Sequence, residues 1–238
     1  MRQALTLAIS HAQSRSAFGR PIAELPMQAN VLADLALDSE AAMLGALRVA
    51  AATDHLHDDE RERLFARVAT PVVKFWNCQR AAYFVYECVQ VHGGNGFIMD
   101  NPVARLYREA PLNSIWEGTS NMMCMDVLRA LQREPGCRDA FMDEVRSQCG
   151  RHAGFDRAVV QLAGLIGEER DDDGHARSLV TRMAYVLQAS QMLAHSPTFI
   201  ADMFIRTRLG SEWMHVYGTL PASDDIAAIV TRAAVVRH

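Results

Sequence analysis

The sequence holds one lysine, Lys74, among 24 basic residues. With heavy alanine use, that scarcity is read as coding bias and not as an arginine-driven function. No apolar run is long enough to span a bilayer and no basic-then-apolar leader precedes the first helix, so neither membrane insertion nor secretion is indicated, and a cytoplasmic home is expected. There is no C-x-x-C pair, and the five cysteines Cys78, Cys88, Cys124, Cys137 and Cys149 are odd in number. Both facts speak against a disulfide framework and a zinc site. Basic residues form no stripe, and with a net charge of -4 and a pI near 6.1 nucleic-acid binding is unlikely. Strict alternation of apolar and polar residues over a strand's length is also missing.

What is present is helical periodicity almost throughout 238 residues, half of them apolar. The fold class is therefore all-α. Leu5, Ala8 and Ala12 mark a helix over 1–16 that starts inside its amphipathic pattern, so the chain is expected to begin in mid-helix. A second helix covers about Met27 to Thr53, with Val31, Leu35, Ser39 and Met43 on one face and Leu32, Ala36, Leu44 and Leu47 beside it. Pro26 stands at its start, where a missing N–H costs little. A third covers roughly Glu60 to Val91, with Pro71 either kinking it or following a Thr70 cap.

Gly93, Gly94 and Gly96 end that helix and open a loop. A short helix is expected over Pro102–Arg108 and a strong one from Thr119 through Leu131. Together these predict an up-and-down four-helix bundle over residues 1–132. Residues 133–238 read as an appended helical subdomain, in which 139–238, broken by "EERDDDG" at 168–174, form shorter and weaker helices ending with Ile226–Val236.

Three segments are candidates for chemistry. In "NSIWEGTSN" the carboxylate of Glu117 lies between Trp116 and Gly118 with no cation beside it in sequence. Desolvation by Trp116 would suit Glu117 to abstract a proton α to a thioester, with Gly118 leaving room for substrate. Alone, the segment reads more readily as an acidic helix start capped by Thr119 or Ser120. "QVHGGNGF" is Gly-rich but follows a helix, not a strand, so it is no Rossmann fingerprint. "RSAFGRP" places two arginines around Phe-Gly, suited to a phosphate with an aromatic contact, or else to a solvated helix end. His55 and His57 in "DHLHDD" lack a fixed third ligand, and no metal is expected.

Taken in order, "RSAFGRPIAELP", "QVHGGNGFIMDNPVARLYREAPLNSIWEGTSN" and the helices around them resemble the C-terminal helical domain of the acyl-CoA dehydrogenase family. "AELP" and "REAPLNSIWEG" look most like its adaptive-response, alkylation-damage branch. The resemblance implies an FAD-dependent oxidoreductase that desaturates an acyl-CoA and passes electrons to an electron-transfer flavoprotein. By the same resemblance Glu117 is the base, Gly118 lies along the substrate thioester, and Thr119 and Asn121 lie beside the flavin. Arg15, Phe18 and Gly19, with Gln90, Gly93 and Gly94, match the motifs that touch FAD across a dimer interface.

Departures from the family are Pro26 and Asn121 where many members carry glutamine. The family's N-terminal helical and middle β domains have no counterpart here. A homo-oligomer, or pairing with a separate N-terminal half, is therefore expected, because a former domain interface would expose apolar surface. Two alternatives stand beside this reading. One is a damage-response, nucleic-acid-associated helical protein; the other is an inactive truncated bundle that needs a partner half.

Overall fold

The computed structural model describes residues 1–134, 136–167 and 173–235. Eleven α-helices occur among the described residues: α1 (Arg2–Ser14), α2 (Pro26–Asp54), α3 (Glu60–His92), α4 (Gly94–Phe97), α5 (Pro102–Glu109), α6 (Ser120–Arg133), α7 (Gly136–Arg146), α8 (Ala153–Gly167), α9 (Ala176–His195), α10 (Thr198–Phe204) and α11 (Asp225–Ala233). The all-α reading holds. The one β pairing among the described residues is a two-residue ladder, β1 (Ser16–Ala17) against β2 (Arg20–Pro21), antiparallel. It was not visible as alternation because two residues carry no period.

Helix limits follow local chemistry. Pro26 is the first residue of α2. Asn101 caps α5, its Oδ1 accepting from the Val103 N–H at 3.0 Å, and Pro102 follows at the first helical position. Asp59 closes the turn before α3 by accepting from the N–H groups of Arg61 and Glu62. His55 and His57 are exposed in that turn, so "DHLHDD" is a connector with a cap. Pro71 lies inside a continuous α3, and Thr70 caps nothing: its hydroxyl donates back to the Ala66 carbonyl at 2.7 Å.

The packing resolves into two compact units, and each takes residues from both sides of position 132. The first comprises Met1–Glu40, Arg80–Asn113 and Ser211–His238. Its core includes Leu5, Ala8, Ala12, Leu32, Leu35, Phe84 and Cys88, all essentially inaccessible. At about 2 kcal/mol for a fully buried Leu or Phe, these faces are what hold α1 and the near parts of α2 and α3 in place.

Two buried carboxylates on α2 then organise the returning chain. Asp34 accepts from Trp213 Nε1 (3.2 Å) and from the Gly218 N–H (2.9 Å). Asp38 accepts from Tyr217 Oη (2.6 Å) and Arg80 (2.9 Å). Gly218, at φ +86°, lies so close to Val31 that a Cβ would come within 2.6 Å of Cγ2. Residues 211–220 are thus tied to α2 by hydrogen bonds to two buried carboxylates, which the sequence pattern did not reveal.

The second unit comprises Ala41–Gln79 and Ser114–Gly210. Arg48 of α2 forks onto Glu62 of α3 and Glu144 of α7 at 2.7–2.9 Å. Burial opposes the charge of Arg48, but the hydrogen bonds and charges of Glu144 and Glu62 outweigh it and raise its pKa. α9 is the spine of this unit, with α6, α7, α8 and α10 all packed on it.

Here the expectation of short, weak helices beyond 139 is corrected. α9 has 20 residues, and its stretch Val186–Leu193 is buried on every side, so periodicity could not show it as a strong amphipathic helix. α2 also departs from its predicted face: Met43 and Leu47 are exposed, because Ala41, Ala42 and Gly45 take the inner side there. Of the "EERDDDG" run, residues 168–172 lie outside the described residues, as does Val236 at the end of the last expected helix.

Candidate active site

In the first unit, α1 ends at Ser14 and the chain turns back through β1 and β2, with Ser16 opposite Pro21 and Ala17 opposite Arg20. Phe18 (φ +53°) and Gly19 (φ +82°) form the two-residue turn. Positive φ at both central positions is what a hairpin matching strand twist requires, and Asn-Gly is the usual solution. Here the first position is a phenylalanine, 93% exposed. "RSAFGRP" is neither a plain helix end nor a loop: it is a hairpin that holds an aromatic ring out to solvent at a backbone cost, between exposed Arg15 and Arg20.

The Gly-rich segment lies in the same unit. Gly93 adopts φ +60°, ψ -146°, a region open in practice only to glycine, and a new short helix, α4, starts at Gly94. The expected open loop is therefore corrected to a single helical turn. Gly96 is demanded by packing, since a Cβ there would meet the Val89 carbonyl at 2.5 Å. At Gly93 and Gly94 a Cβ would meet nothing within 4 Å. That leaves room for an external group to approach the backbone.

Gln90 is exposed one turn earlier. His11 and His92 stack at 4.6 Å and join the end of α1 to the end of α3, which brings the Arg15 and Gln90 ends of these helices into one neighbourhood. His92 Nδ1 donates to the Cys88 carbonyl at 2.7 Å. Burial, then the charges of His92 and Arg15, lower the pKa of His11. This histidine pair escaped the sequence reading; its one trace there is the placement of each ring in the last turn of a helix.

Glu117, Gly118, Thr119 and Asn121 belong to the second unit. Glu117 has φ +55° and Gly118 φ +104°. A Cβ at 118 would meet the Met123 terminal methyl, which a flexible side chain can move aside, so it is the backbone at φ +104° that calls for glycine. Thr119 is the N-cap of α6, yet its hydroxyl makes no capping hydrogen bond; Ser120 instead donates to Gln79 Oε1 at 2.9 Å. Neither serves as the side-chain cap expected from the sequence, and the Thr119 hydroxyl is not committed to the helix.

Glu117 and Asn121 are exposed, and Trp116 is 56% exposed, so the indole by itself does not desolvate the carboxylate. No basic residue stands beside Glu117 in sequence, but a cation reaches the backbone on both sides of it. Lys74 Nζ donates to the carbonyls of Trp116 (2.9 Å) and Gly118, on either side of Glu117. The only lysine is therefore placed at the candidate site, and coding bias does not account for its position.

Burial pushes the Cys88 thiol up to about 12 and Cys124 to about 11. Neither has nucleophilic character. No group of three or more His, Cys, Asp or Glu suited to a metal occurs among the described residues. Nor is any described helix long and apolar enough to cross a membrane. Exposed apolar side chains occur at Phe97, Ile98 and Met99 in the first unit and at Ile115, Trp116 and Met122 in the second, which suits surfaces that meet other protein.

The sequence profile of the acyl-CoA dehydrogenase C-terminal domain matches residues 1–132. The chain belongs to the acyl-CoA dehydrogenase family, of which it carries the C-terminal helical domain. It is 37% identical over 210 residues to the putative acyl-CoA dehydrogenase AidB of Escherichia coli, an alignment covering 88% of this chain and 38% of that protein. It is 29% identical over 218 residues to acyl-CoA dehydrogenase family member 11 of Caenorhabditis elegans, covering 82% of this chain and 35% of the other. The crystal structure of Caenorhabditis elegans ACDH-11 superposes on 98% of this chain and 40% of that one with a TM-score of 0.74, at 22% identity, which is a likeness of fold. The chain spans under two-fifths of the length of these two curated relatives.

Proposed function

We propose that this chain is the C-terminal portion of an FAD-dependent acyl-CoA dehydrogenase, with residues 1–132 as the catalytic bundle and 133–238 as an appended helical subdomain. The observation that carries the proposal is the Glu117 turn: an exposed carboxylate on a left-handed residue, followed by a glycine at φ +104°. Among the described residues Glu117 is in no ion pair within 4.0 Å, so its carboxylate is available to take a proton.

In this reading Glu117 removes the α-proton of an acyl-CoA thioester, Gly118 lets the thioester approach the backbone, and FAD, when bound, takes the β-hydride. In the first unit Arg15, Phe18 and Gly19 on the hairpin and Gln90, Gly93 and Gly94 beside the histidine pair would hold FAD, and in the second Thr119 and Asn121 would offer polar groups to a flavin. Their chemistry fits: a cation and an exposed ring suit a pyrophosphate and an adenine, and the open space at Gly93 and Gly94 suits close approach. Water exclusion around Glu117 has to come from the substrate or from further protein, since Trp116 leaves it open. A homo-oligomer or a separate N-terminal half is the proposed source, with an electron-transfer flavoprotein as electron acceptor and a cytoplasmic site of action.

The first measurement is an absorbance spectrum after incubation with FAD and desalting. Retained flavin, with bleaching by an acyl-CoA that drops by roughly 10²–10⁴ in rate in Glu117→Gln, supports the reading. Bleaching that is equally fast in the variant removes Glu117 as base. A chain that retains no flavin supports instead the inactive bundle awaiting its partner half, which the exposed Phe97–Met99 run favours.

A further inference from the structure

Lys74 sits on α3, between buried Phe75 and the face that meets the start of α6. Its ammonium has three donors and no acceptor, and two of those donors are spent on the carbonyls that bracket Glu117, those of Trp116 and Gly118. Peptide planarity carries this grip further. In a trans peptide the N–H points opposite to its C=O, so turning the Trp116 and Gly118 carbonyls toward Lys74 turns the N–H groups of Glu117 and Thr119 the other way. The same two bonds span Glu117, a non-glycine residue at φ +55°, a conformation that persists only where its surroundings over-determine it.

Met123, on the first turn of α6, closes the other side of Gly118. The stretch of α3 around Lys74 is itself anchored. Asn77 Nδ2 donates to the Ala42 carbonyl at 3.1 Å and Asn77 Oδ1 accepts from Gln188 at 3.3 Å. Gln79 accepts from Ser120 and from Arg177 of α9. The cation that grips the turn therefore stands on a fixed helix.

We infer that Lys74 is the positioning residue of the candidate base: by holding the Trp116 and Gly118 carbonyls it keeps the turn left-handed and aims the Glu117 carboxylate. Lys74 touches neither substrate nor cofactor in this role. The aiming part rests on the reading of Glu117 as a base; the grip on the turn does not.

The experiment has two arms and uses the 238-residue chain with Lys74→Met, Lys74→Arg and Glu117→Gln. The first arm follows amide hydrogen exchange in peptides covering 113–122 and, as internal control, 176–195. Lys74→Met, which keeps the apolar stem, is expected to speed exchange in 113–122 about tenfold or more and to leave α9 unchanged. Lys74→Arg, still able to donate to two carbonyls, is expected to recover part of the protection. Unchanged exchange in Lys74→Met overturns the grip and the whole proposal. If that variant is globally loosened, as α9 would show, the comparison of wild type with Lys74→Arg decides it, and exchange in 113–122 as fast as in Lys74→Met refutes the grip.

The second arm follows wash-in of deuterium at the α carbon of butyryl-CoA and octanoyl-CoA in D₂O, with FAD present. Lys74→Met is expected to lower the saturated rate about 10²-fold with the half-saturating concentration held within about twofold, the signature of a misaimed base. A loss only in half-saturation, or none, overturns the aiming role while the first arm stands. Wild type that exchanges no α-proton, or Glu117→Gln that exchanges as wild type does, overturns the base reading itself and with it the aiming role. The amide-exchange arm still separates that failure from a failure of Lys74.

Discussion

Glu87, buried on α3 in the first unit, is a residue whose ionisation opposes folding. Burial raises its pKa against the lowering effect of hydrogen bonds from Tyr83 and Gln90, and the charge of Asp34 adds to the rise. The folded chain thus holds a proton that the unfolded chain has already released as pH climbs past the ordinary glutamate value of about 4.3. Between that value and the raised one the folded state binds more protons, so stability falls with increasing pH across the window. Glu87→Gln is expected to be more stable than wild type at pH 7, with the difference vanishing below about pH 4. Urea melts of both chains at the two pH values check this, and an equal or larger difference at the low pH counts against it.

Among single residues, Glu117 was legible as a candidate and Lys74 as an oddity, but not as partners. They are 43 positions apart, and Lys74 is bonded not to Glu117 but to the backbone carbonyls of its neighbours Trp116 and Gly118, which no side-chain motif records. Trp116 was expected to cover the carboxylate. In the structure it stands at 56% exposure instead, beside a left-handed Glu117.

At the scale of elements, the hairpin between α1 and α2 is the clearest conflict between local preference and placement. A turn that asks for Asn-Gly carries Phe-Gly, and the ring gains no burial in return. Phe18→Asn is expected to stabilise the chain by on the order of 1 kcal/mol, because asparagine tolerates the left-handed region, while weakening flavin retention if Phe18 lies on the adenine. Thermal melts and the desalted absorbance spectrum read the two effects separately. A variant that loses stability would show that the ring's strain has been overestimated.

Helix ends that use near neighbours, such as Pro26 or Asn101 with Pro102, were readable because the capping partner lies two or three residues away. α9 was not. A helix buried on all sides loses the polar stripe by which periodicity recognises it, and its strength lies in four other helices packed around it.

For the whole molecule, two compact units share the continuous helices α2 and α3, and neither unit is a contiguous stretch of sequence. Residues 211–220 are fastened in the first unit through Asp34 and Asp38. The purified chain is expected to elute above its 26.4 kDa mass, with Phe97→Ser combined with Met99→Ser shifting elution toward the monomer. Light scattering of the two proteins tests this. A wild-type monomer at tens of micromolar would mean that these exposed side chains need a foreign partner, not a second copy.

The sequence by itself determined the helical class, most of the helix boundaries in the first 132 residues, and the order of motifs that marks the family. Each of these is written in spacings of a few residues, where period and caps act. Only the tertiary structure decided that Phe18 stands on a hairpin, that His11 meets His92, that two buried aspartates gather the returning chain, and that the single lysine grips the turn of Glu117. Those are contacts between distant positions, made by packing that brings α1 to α3, α3 to α6 and the last segment to α2. No local pattern encodes them, because the free energy that selects them is that of burying whole helix faces and pairing buried polar groups across the chain.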